Sequence, residues 1–306
     1  NILFEKGKNP YILFVNPNED ERSKQLYETT MEKTEGEITK VYEQDGNFNL
    51  ALTSGQILLG GPTKFPLQAV PSEADPTRYV VASTYSYTNG KPNLAEVSDS
   101  SFTGGQLAGL LKYREDTLDP AQNELGRLAV AIANEFNAVH EQGYTLTGSK
   151  GAEYFSAALG QPMASEKNTG GATLSVELDS VNQLTAQDYE FLVQSGDDYN
   201  KLMYRTLPNG RFQEVDLDAG SAVIDGLKIT VTGLETAAEG DLWRLNPTRN
   251  AADSFALEID HPGDIAAAGA AEDGSPLGTA NGDIALKLAA LQNAKTMGNN
   301  GLNFND

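Results

Sequence analysis

The sequence has no cysteine, two histidines and one tryptophan among its 306 residues. Without cysteine the chain can form no disulfide, present no thiolate nucleophile and build no cysteine zinc site. The two histidines, His140 and His261, stand far apart in the sequence, and neither lies in a spacing typical of metal ligands. We therefore expect no metal site built on the histidines.

Basic residues are scarce as well. The 22 Lys and Arg residues are outnumbered by 43 Asp and Glu residues, which gives a formal net charge of -21. Proteins that bind nucleic acid or an anionic membrane present a basic surface, so we expect neither partner. No apolar run approaches the ~18 residues of a membrane span. The chain starts at Asn1 without a charged-then-apolar leader, so we expect no secretory signal within it and interpret it as a piece of a longer protein.

The signatures of common catalytic sites are missing. Neither the Gly-x-Ser-x-Gly elbow of hydrolases nor the Gly-Lys-Ser/Thr end of a phosphate-binding loop occurs. Gly104, Gly105 and Gly109 do not follow the Gly-x-Gly-x-x-Gly spacing, and we expect them to open a helix and permit close packing. Acidic residues are abundant, but no two of them stand out by their spacing as a catalytic acid and base. The default interpretation is therefore that these residues lie on a solvated face. We predict no enzyme activity and no catalytic, cofactor-binding or metal-binding residue.

Two acidic stretches and one aromatic residue leave minor alternatives open. Gly196-Asp197-Asp198 lacks the ligand spacing of a calcium loop, and Asp216-Leu-Asp218-Ala-Gly220 has two alternating carboxylates without the remaining ligands. A weak cation site there is the minor interpretation. The lone Trp243 is a candidate for a sugar platform, but a position in the core of a β domain is favoured.

The longest regular pattern runs from Gly104 to Gln142. Apolar residues recur there at helical spacing for more than three heptads, which predicts one long or once-broken helix over 104–142. From Pro120 onward this helix would be roughly 35 Å long at about 1.5 Å per residue, which suits a rod, although periodicity alone fits a core helix of a large domain equally well. The apolar seam is expected to pack inside the subunit; it comprises Leu111, Leu118, Ala121, Leu125, Leu128, Ala129, Ile132, Phe136 and Val139.

Local signals predict where this helix restarts and ends. Asp119 is expected to cap a restart, with Pro120 in the first turn and Gln122 as the capping-box partner. Gly143 is expected to end the helix in a left-handed conformation. His140 is expected to place a partial positive charge in the last turn, where the helix dipole favours it.

The segments on either side carry β-type patterns. Turn signals such as Asp45-Gly46 and Asn89-Gly90 separate short alternating segments, and after Gly171 short strands and turns repeat as in a sandwich or barrel. A weak surface helix over 19–33 and a helix over 283–296 capped by Asp283 complete the prediction. The predicted strands are 11–15, 38–42, 48–52, 57–59, 78–87, 173–178, 189–194, 202–207, 211–217, 222–231 and 241–245.

These patterns predict an α+β multidomain chain, in which a long-helix rod domain with β-hairpins is interrupted by an all-β (sandwich/barrel-like) domain. Residues 1–165 would form the rod-like domain with the long helix at 104–142. Residues 166–250 would form the all-β outer domain, and residues 251–306 would return to the rod domain.

Several short motifs follow one another along the chain, and each occurs once. They are Asp45-Gly-Asn-Phe-Asn-Leu50, Gln68-Ala-Val-Pro-Ser-Glu-Ala-Asp-Pro-Thr-Arg78, Thr103-Gly-Gly-Gln-Leu-Ala-Gly-Leu-Leu-Lys-Tyr-Arg114, Leu118, Asn123-Glu-Leu125, Leu128-Ala129, Asn137, His140, Gly143, Gly151-Ala-Glu-Tyr154-Phe155, Asp225-Gly-Leu-Lys-Ile-Thr-Val231 and Asn281-Gly-Asp-Ile-Ala-Leu286 with Leu291-Gln292. In this order the motifs resemble the bacterial flagellar hook-associated protein 1 (FlgK) family over residues 37–305. The segment 1–31 resembles the family poorly.

The resemblance implies a non-enzymatic structural subunit at the hook–filament junction of the bacterial flagellum. It implies export through the flagellar type III apparatus, an extracellular location and packing against flagellar hook protein, hook-associated protein 3 and further copies in an assembled ring. It also implies a helical rod domain with outward β domains, and heptad arms at both termini of full-length members, which this chain lacks. We therefore expect this piece alone to be monomeric.

The residues expected to form interfaces are the exposed sides of the 104–142 helix and the hairpins around 45–59. The alternative function is an extracellular adhesin-like binding module with a ligand site near Trp243. A third and weakest hypothesis is a carboxylate hydrolase. An exposed aromatic groove on the β region would favour the adhesin-like module. Acidic residues grouped in one deep cleft would favour the hydrolase.

Overall fold

The computed structural model of the chain describes residues 38–44, 47–52, 55–60, 62–76, 78–196 and 200–304. These residues form a mixed α+β structure with one long helix and several small antiparallel sheets. The chain divides into two compact units, Asn1–Thr117 and Leu118–Asp306. The predicted strand 11–15 and helix 19–33 lie outside the described residues, as does the acidic run Asp197-Asp198.

Among its described residues, the first unit contains two antiparallel sheets and a short helix. One sheet has four strands in the order β1-β2-β3-β4, and the other has three in the order β5-β6-β7. The strands are β1 Ile38–Gln44, β2 Asn47–Leu52, β3 Ile57–Gly60, β4 Thr63–Lys64, β5 Leu67–Pro71, β6 Tyr79–Thr88 and β7 Lys91–Glu96. A 3-10 helix at Asp99–Ser101 precedes helix α1, Gly105–Tyr113, and a π-helical turn at Arg114–Leu118 follows it.

Alternating apolar residues on the strands form the core of this unit. The buried cluster joins strand and helix residues: Leu50, Leu52, Leu58, Leu59, Phe102 and Leu111. Asn89 and Gly90 both have positive φ angles, 51° and 75°, as a two-residue hairpin turn between β6 and β7 requires. The turn predicted at this Asn-Gly pair is therefore confirmed, and it joins two strands of a hairpin.

The second unit contains three sheets and two α-helices among its described residues. The sheet orders are β10-β15-β14, β13-β12-β11-β16-β9 and β17-β8. The strands are β8 Phe155–Ser156, β9 Met163–Ala164, β10 Thr173–Leu178, β11 Tyr189–Ser195, β12 Asn200–Thr206, β13 Gln213–Glu214, β14 Ser221–Ile224, β15 Leu227–Thr232, β16 Leu242–Leu245 and β17 Ala256–Leu257. The helices are α2 Asp119–His140 and α3 Asp283–Ala290, with 3-10 helices at Val181–Gln183, Leu234–Thr236, Pro262–Asp264 and Leu291–Asn293.

The two larger sheets share one hydrophobic core. Every second residue of β15, Leu227, Ile229 and Val231, is buried, as the alternation in the sequence predicts. On the other sheet Phe191 lies opposite Trp243 in the ladder between β11 and β16, and both belong to the same buried cluster. The cluster also takes in Val130 of α2 and Ala251. The long helix therefore packs into the core of the β region.

Several predicted elements differ from the structure. The segment 222–231, predicted as one strand, is a hairpin of β14 and β15, because Asp225 and Gly226 adopt φ angles of 48° and 78° and form a tight turn. The predicted strand 211–217 shortens to Gln213–Glu214. The predicted helix 283–296 ends as an α-helix at Ala290 and continues as a 3-10 turn. Asp283 lies in the first turn of α3 and is not its cap.

The predicted three-segment division places its boundaries at 165 and 250, whereas the two compact units meet at 117 and 118. Strand β9, just before the first predicted boundary, pairs with β16 of the five-stranded sheet. The three-segment division stays a prediction. Within the described residues, no helix combines the length and the apolarity that a membrane crossing requires.

Candidate functional site

The long helix α2 begins without the predicted cap. The backbone stays helical through the π-helical turn into Leu118, and no side chain caps the start. The predicted role of Asp119 as a cap with Gln122 as its capping-box partner is wrong, because no free helix end exists at this position. Pro120 does lie in the first turn, as predicted. Its missing N–H is compatible with the change from π to α hydrogen bonding there.

A polar cluster holds the first turns of α2 against the β region. Arg249, almost buried, forms ion pairs with Asp188 and, at 3.8 Å, with Asp119. Its Nε donates to Oδ1 of Asn123 at 3.3 Å, and Asn123 Nδ2 donates to the carbonyl of Ala186 at 3.1 Å. Asp119 therefore holds the side of the helix to Arg249 through an ion pair of two largely buried side chains.

The buried face of α2 is built from small residues. Gly126, Ala129 and Ala133 are all buried along this face. A Cβ added at Gly126 would lie 1.6 Å from the carbonyl oxygen of Thr248, so the backbones meet with no room for a side chain. Small residues let a helix approach its neighbour closely. Of these three residues only Ala129 belongs to the predicted seam, so the buried face coincides with that seam only in part.

The end of α2 is fixed by His140 and Asn137. The His140 ring is fully buried; its Nε2 accepts the Ala266 N–H at 2.8 Å, so Nδ1 is the nitrogen that donates, to the Ala152 carbonyl at 2.7 Å. The ring is therefore neutral in this arrangement, and the predicted positive charge at the helix end is wrong. Asn137 Oδ1 accepts the backbone N–H groups of Tyr154 and Phe155 at 2.8 and 3.0 Å.

Gly143 does not form the predicted left-handed cap. The helix ends through hydrogen bonds of the last turn, with the Gly143 N–H donating to the His140 carbonyl at 2.9 Å. Gly143 has no left-handed φ, but a Cβ there would lie 2.7 Å from the carbonyl oxygen of Ala266. Glycine is needed at this position for close approach of two backbones.

Part of the predicted apolar seam faces outward. Leu118 is 43% exposed and Leu125 is 58% exposed, whereas Ile132 and Val139 are half-buried. The prediction that the seam packs inside the subunit is wrong for the two leucines, because the small residues on the opposite face pack against the protein. Leu111 of α1 is buried as predicted. Leu128 is half-buried and packs against the buried cluster of Ala131, Val181 and Met297. We call the exposed residues at the start of the long helix the apolar stripe; it comprises Leu118, Ala121 and Leu125.

One carboxylate lies among the half-buried apolar residues in the second half of α2. Glu135 follows Ile132 by three residues and precedes Val139 by four, so the three side chains are neighbours on the helix surface. The Glu135 side chain is half-buried, and desolvation raises the pKa of its carboxyl group. Among the described residues it has no hydrogen-bond or ion-pair partner. The cation at 127 is engaged elsewhere, since Arg127 donates to Glu124 at 2.8 Å.

An aromatic cluster lies beside the last turns of α2. The Phe136 ring centroid is 4.8 Å from that of Tyr154 and 5.1 Å from that of Phe155. Phe155 also stacks on Phe255 at 4.9 Å, and Phe255 and Leu257 are exposed. The loop with the aromatic residues at 154 and 155 is thus anchored by Asn137 and leaves part of its rings open to solvent. The loop is recognisable in the sequence but the cluster is not, because Phe255 belongs to a distant segment.

The other candidate residues from the sequence do not gather into a site. Trp243 is 3% exposed and lies in the core, as the favoured interpretation predicted. His261 is exposed and precedes a 3-10 helix. Across the described residues, no group of three or more His, Asp or Glu side chains could hold a metal ion. Gly104 opens α1 as its N-cap, but a Cβ on Gly109 would meet only open space, so its predicted role in close packing is wrong.

A cleft of about 570 Å³ in the second unit is lined by residues that include Glu214, Asp216 and Glu235. The three carboxylates are exposed to solvent, and Glu214 is paired with Lys201 at 2.8 Å. A catalytic acid and base need environments that push their acidities apart. All three carboxylates of this cleft lie in the same kind of exposed surroundings.

In the hairpins predicted as an interface, most of the described apolar side chains are internal. Leu50, Leu52, Leu58 and Leu59 are buried in the core of the first unit, and Ile57 is exposed. These hairpins therefore present little apolar surface among their described residues.

Comparison with known proteins identifies the family. The flagellar hook-associated protein FlgK helical domain matches residues 32–155. The chain is 35% identical over 270 residues to flagellar hook-associated protein 1 of Salmonella typhimurium, a match that covers 86% of this chain and 46% of that protein. It is 32% identical over 266 residues to flagellar hook-associated protein 1 of Escherichia coli K12, with the same shares of each chain.

A solved structure supports the same assignment. The flagellar hook junction protein FlgK from Burkholderia pseudomallei matches with a TM-score of 0.65 and 32% identity, over 76% of this chain and 42% of that chain. The chain thus spans less than half the length of the relatives it matches. The order of motifs, the mixed fold with one long helix and these matches agree, and the chain belongs to the flagellar hook-associated protein 1 (FlgK) family.

Proposed function

We propose that this chain is part of a structural subunit at the hook–filament junction of the bacterial flagellum. It would join hook to filament by protein–protein packing and catalyse no reaction. The observation that carries the proposal is its similarity to flagellar hook-associated protein 1 over 86% of the chain. The relatives carry the names of structural flagellar proteins, which supports a non-enzymatic role.

The proposal includes a finer arrangement of the fold. Residues 166–250 would form an all-β, sandwich-like outer domain, since the two larger sheets share one buried cluster of apolar side chains. Residues 1–165 and 251–306 would belong to a helical rod domain. The exposed side of α2 and the hairpins around 45–59 would contact neighbouring subunits. The exposed leucines Leu118 and Leu125 support this assignment for α2, because exposed apolar side chains grouped on one face mark interaction surfaces.

The proposed partners follow from the family. Flagellar hook protein would pack on one side and hook-associated protein 3 on the other, with further copies of the subunit completing a ring. The location would be extracellular, after export through the flagellar type III apparatus. The charge of -21 gives no support to nucleic acid or an anionic membrane as a partner. We expect the piece described by this sequence to be monomeric by itself.

The alternatives lack a supporting observation. An adhesin-like site near Trp243 would need an exposed ring, but the ring is enclosed in the core. A carboxylate hydrolase would need desolvated, unequal carboxylates, and those in the cleft beside Lys201 are solvated.

A chimera tests the proposed function. In a flagellated cell that lacks hook-associated protein 1, the matched 270-residue part of the Salmonella typhimurium protein would be replaced by this chain, which leaves both terminal parts of the host protein in place. We expect motility and filaments on the hooks. The control is the same host protein with its matched part deleted. An exported, folded chimera that leaves hooks without filaments would contradict the junction role.

A further inference from the structure

The sequence contains four Asn-Gly dipeptides, and all of them lie within the described residues. They are Asn89-Gly90, Asn209-Gly210, Asn281-Gly282 and Asn300-Gly301. An asparagine side chain can cyclise onto the backbone nitrogen of the next residue, and glycine favours this because it has no Cβ to hinder the approach. The reaction needs a glycine N–H without a hydrogen bond and an asparagine amide that is free to rotate.

In two of the dipeptides the glycine nitrogen is engaged. The Gly210 N–H donates to the Thr206 carbonyl at 2.8 Å, and the Gly301 N–H donates to the Met297 carbonyl at 3.1 Å. Each of these hydrogen bonds must break before the nitrogen can attack a side chain. The folded structure therefore protects both dipeptides, and their reaction requires local opening.

In a third dipeptide the asparagine side chain is fixed instead. Asn281 Oδ1 accepts the N–H of Gly269 at 2.8 Å and the N–H of Asp283 at 3.1 Å. Its Nδ2 donates to the Asp283 carboxylate at 2.9 Å. Rotation of this amide toward the nitrogen of Gly282 would break these hydrogen bonds, so the side chain is held away from the reaction.

Asn89-Gly90 is free in both respects. The pair forms the turn between β6 and β7, and every residue from 87 to 92 is exposed. Within the described part of the chain, the Gly90 N–H donates no hydrogen bond and the Asn89 side chain accepts and donates none. A Cβ on Gly90 would meet nothing within 4 Å, so open space surrounds the turn.

We propose that Asn89-Gly90 is a site of spontaneous covalent modification, at which the asparagine becomes aspartate or isoaspartate. A base removes the Gly90 N–H proton, and the nitrogen attacks Cγ of Asn89. The new N–Cγ bond closes a five-membered succinimide ring, the bond from Cγ to Nδ2 breaks, and Nδ2 takes up a proton and leaves as ammonia. Water then adds to either carbonyl of the ring and opens it. The whole reaction consumes one water and releases one ammonia.

The products change the turn in charge and in length. Both carry a carboxylate in place of the amide, which adds one negative charge at the tip of the hairpin. In isoaspartate the backbone also runs through Cβ and Cγ, so the two-residue turn gains one backbone atom. Because a turn of fixed length sets the register of its strands, the pairing of Thr88 with Lys91 should be disturbed first.

Incubation of the purified chain at mildly alkaline pH tests the proposal, in buffer and in concentrated guanidinium chloride. The four dipeptides fall in four different tryptic peptides, so mass spectrometry follows each one separately. In the folded chain we expect Asn89 to be converted at least about tenfold faster than the other three asparagines, because only those three require local opening. In guanidinium chloride the four rates should agree within about threefold, since the protection is lost.

A second readout and two variants identify the reacting residue. An isoaspartate-specific carboxyl methyltransferase with S-adenosylmethionine would label the isoaspartate product and not aspartate. Asn89→Gln should abolish the fast conversion and its label, because a glutamine would have to form a larger ring. Asn209→Gln is the matched control, since it changes an exposed asparagine of another Asn-Gly pair, and it should leave the fast conversion unchanged.

Three results would overturn the inference. The first is that another Asn-Gly dipeptide reacts as fast as Asn89 in the folded chain. The second is that Asn89 stays unmodified in the folded chain over the time in which the unfolded chain is converted. The third is that the fast conversion persists in Asn89→Gln. The inference goes beyond the junction role and is tested on the purified chain, so its failure leaves the chimera experiment unaffected.

Discussion

Replacing Gly126 with alanine tests whether close backbone approach holds α2 in place. In a helix interior alanine is normally favoured over glycine by about 1 kcal/mol. Helix propensity alone therefore predicts that Gly126→Ala stabilises the protein. The structure predicts the opposite, because the new Cβ would lie 1.6 Å from the backbone oxygen of Thr248.

The size of the effect follows from this distance. Real Cβ atoms essentially never approach another heavy atom within 3.0 Å, so helix and loop would have to separate by more than 1 Å. The obstacle is backbone and cannot rotate away. Separation would also stretch the contacts of Arg249 with Asn123 and loosen the packing of Ala129. We expect about 4 kcal/mol of strain and lost packing, which leaves a net loss of about 3 kcal/mol after the propensity gain.

Thermal and urea denaturation would measure this loss. For a unit of this size, about 3 kcal/mol corresponds to a decrease in Tm of roughly 6–12 °C. Gly109→Ala in α1 is the matched control, because its Cβ would meet nothing within 4 Å. The control should stabilise its own unit by about 0.5–1 kcal/mol. If Gly126→Ala were as stable as the parent or more stable, the close approach of α2 to residue 248 would be refuted.

Two further stability predictions concern exposure and charge. Leu125→Asp on the exposed face should lower the free energy of unfolding by under about 1 kcal/mol, whereas Ala133→Asp on the buried face should lower it by about 3 kcal/mol or more. Equal losses for the two variants in urea denaturation would contradict the assignment of the two faces. Asp241→Asn should destabilise the second unit on the order of 2 kcal/mol at neutral pH, because the buried carboxylate accepts the N–H groups of Thr169, Gly170 and Ala238. Burial alone would raise the pKa of Asp241, but the three N–H donors lower this pKa below its ordinary value of 3.8. The ionised carboxylate therefore stabilises the fold at every pH above 3.8, and the stability difference between the protein and the variant should shrink only below that pH. A difference that already shrank at pH ~6 would contradict this assignment.

Sequence patterns predicted the strands well where apolar residues alternate. Strand β10 has the predicted bounds, and the alternation of Leu227, Ile229 and Val231 identified the buried face of β15. The merger of β14 and β15 into one predicted strand came from a missed turn signal. Asp225-Gly226 is a strong hairpin dipeptide, but the β-type residues on both sides obscured it.

The face of the long helix could not be predicted from its periodicity. The heptad of Leu118 and Leu125 indicates an amphipathic helix, but periodicity does not show whether the large apolar residues meet the same chain or another one. Gly126, Ala129 and Ala133 form a second, narrower face of small residues. Small residues give a weak hydrophobic signal, yet they allow the closest backbone contact and therefore decide which face packs internally.

Interactions between distant segments account for the remaining differences. The role of Asp119 depends on Arg249, and the neutral state of His140 depends on Ala266, so neither follows from local sequence. Local signals suggested a helix cap and a helix-dipole interaction at these positions. Tertiary contacts determined both outcomes.

The position of the chimera on assembled flagella tests the central proposal most directly. Immunogold labelling with an antibody against an epitope inserted at the exposed turn Asn89-Gly90 would locate this chain by electron microscopy. The account predicts label confined to the boundary between hook and filament. Label spread along the filament, or label only on cell surfaces without hooks, would contradict it.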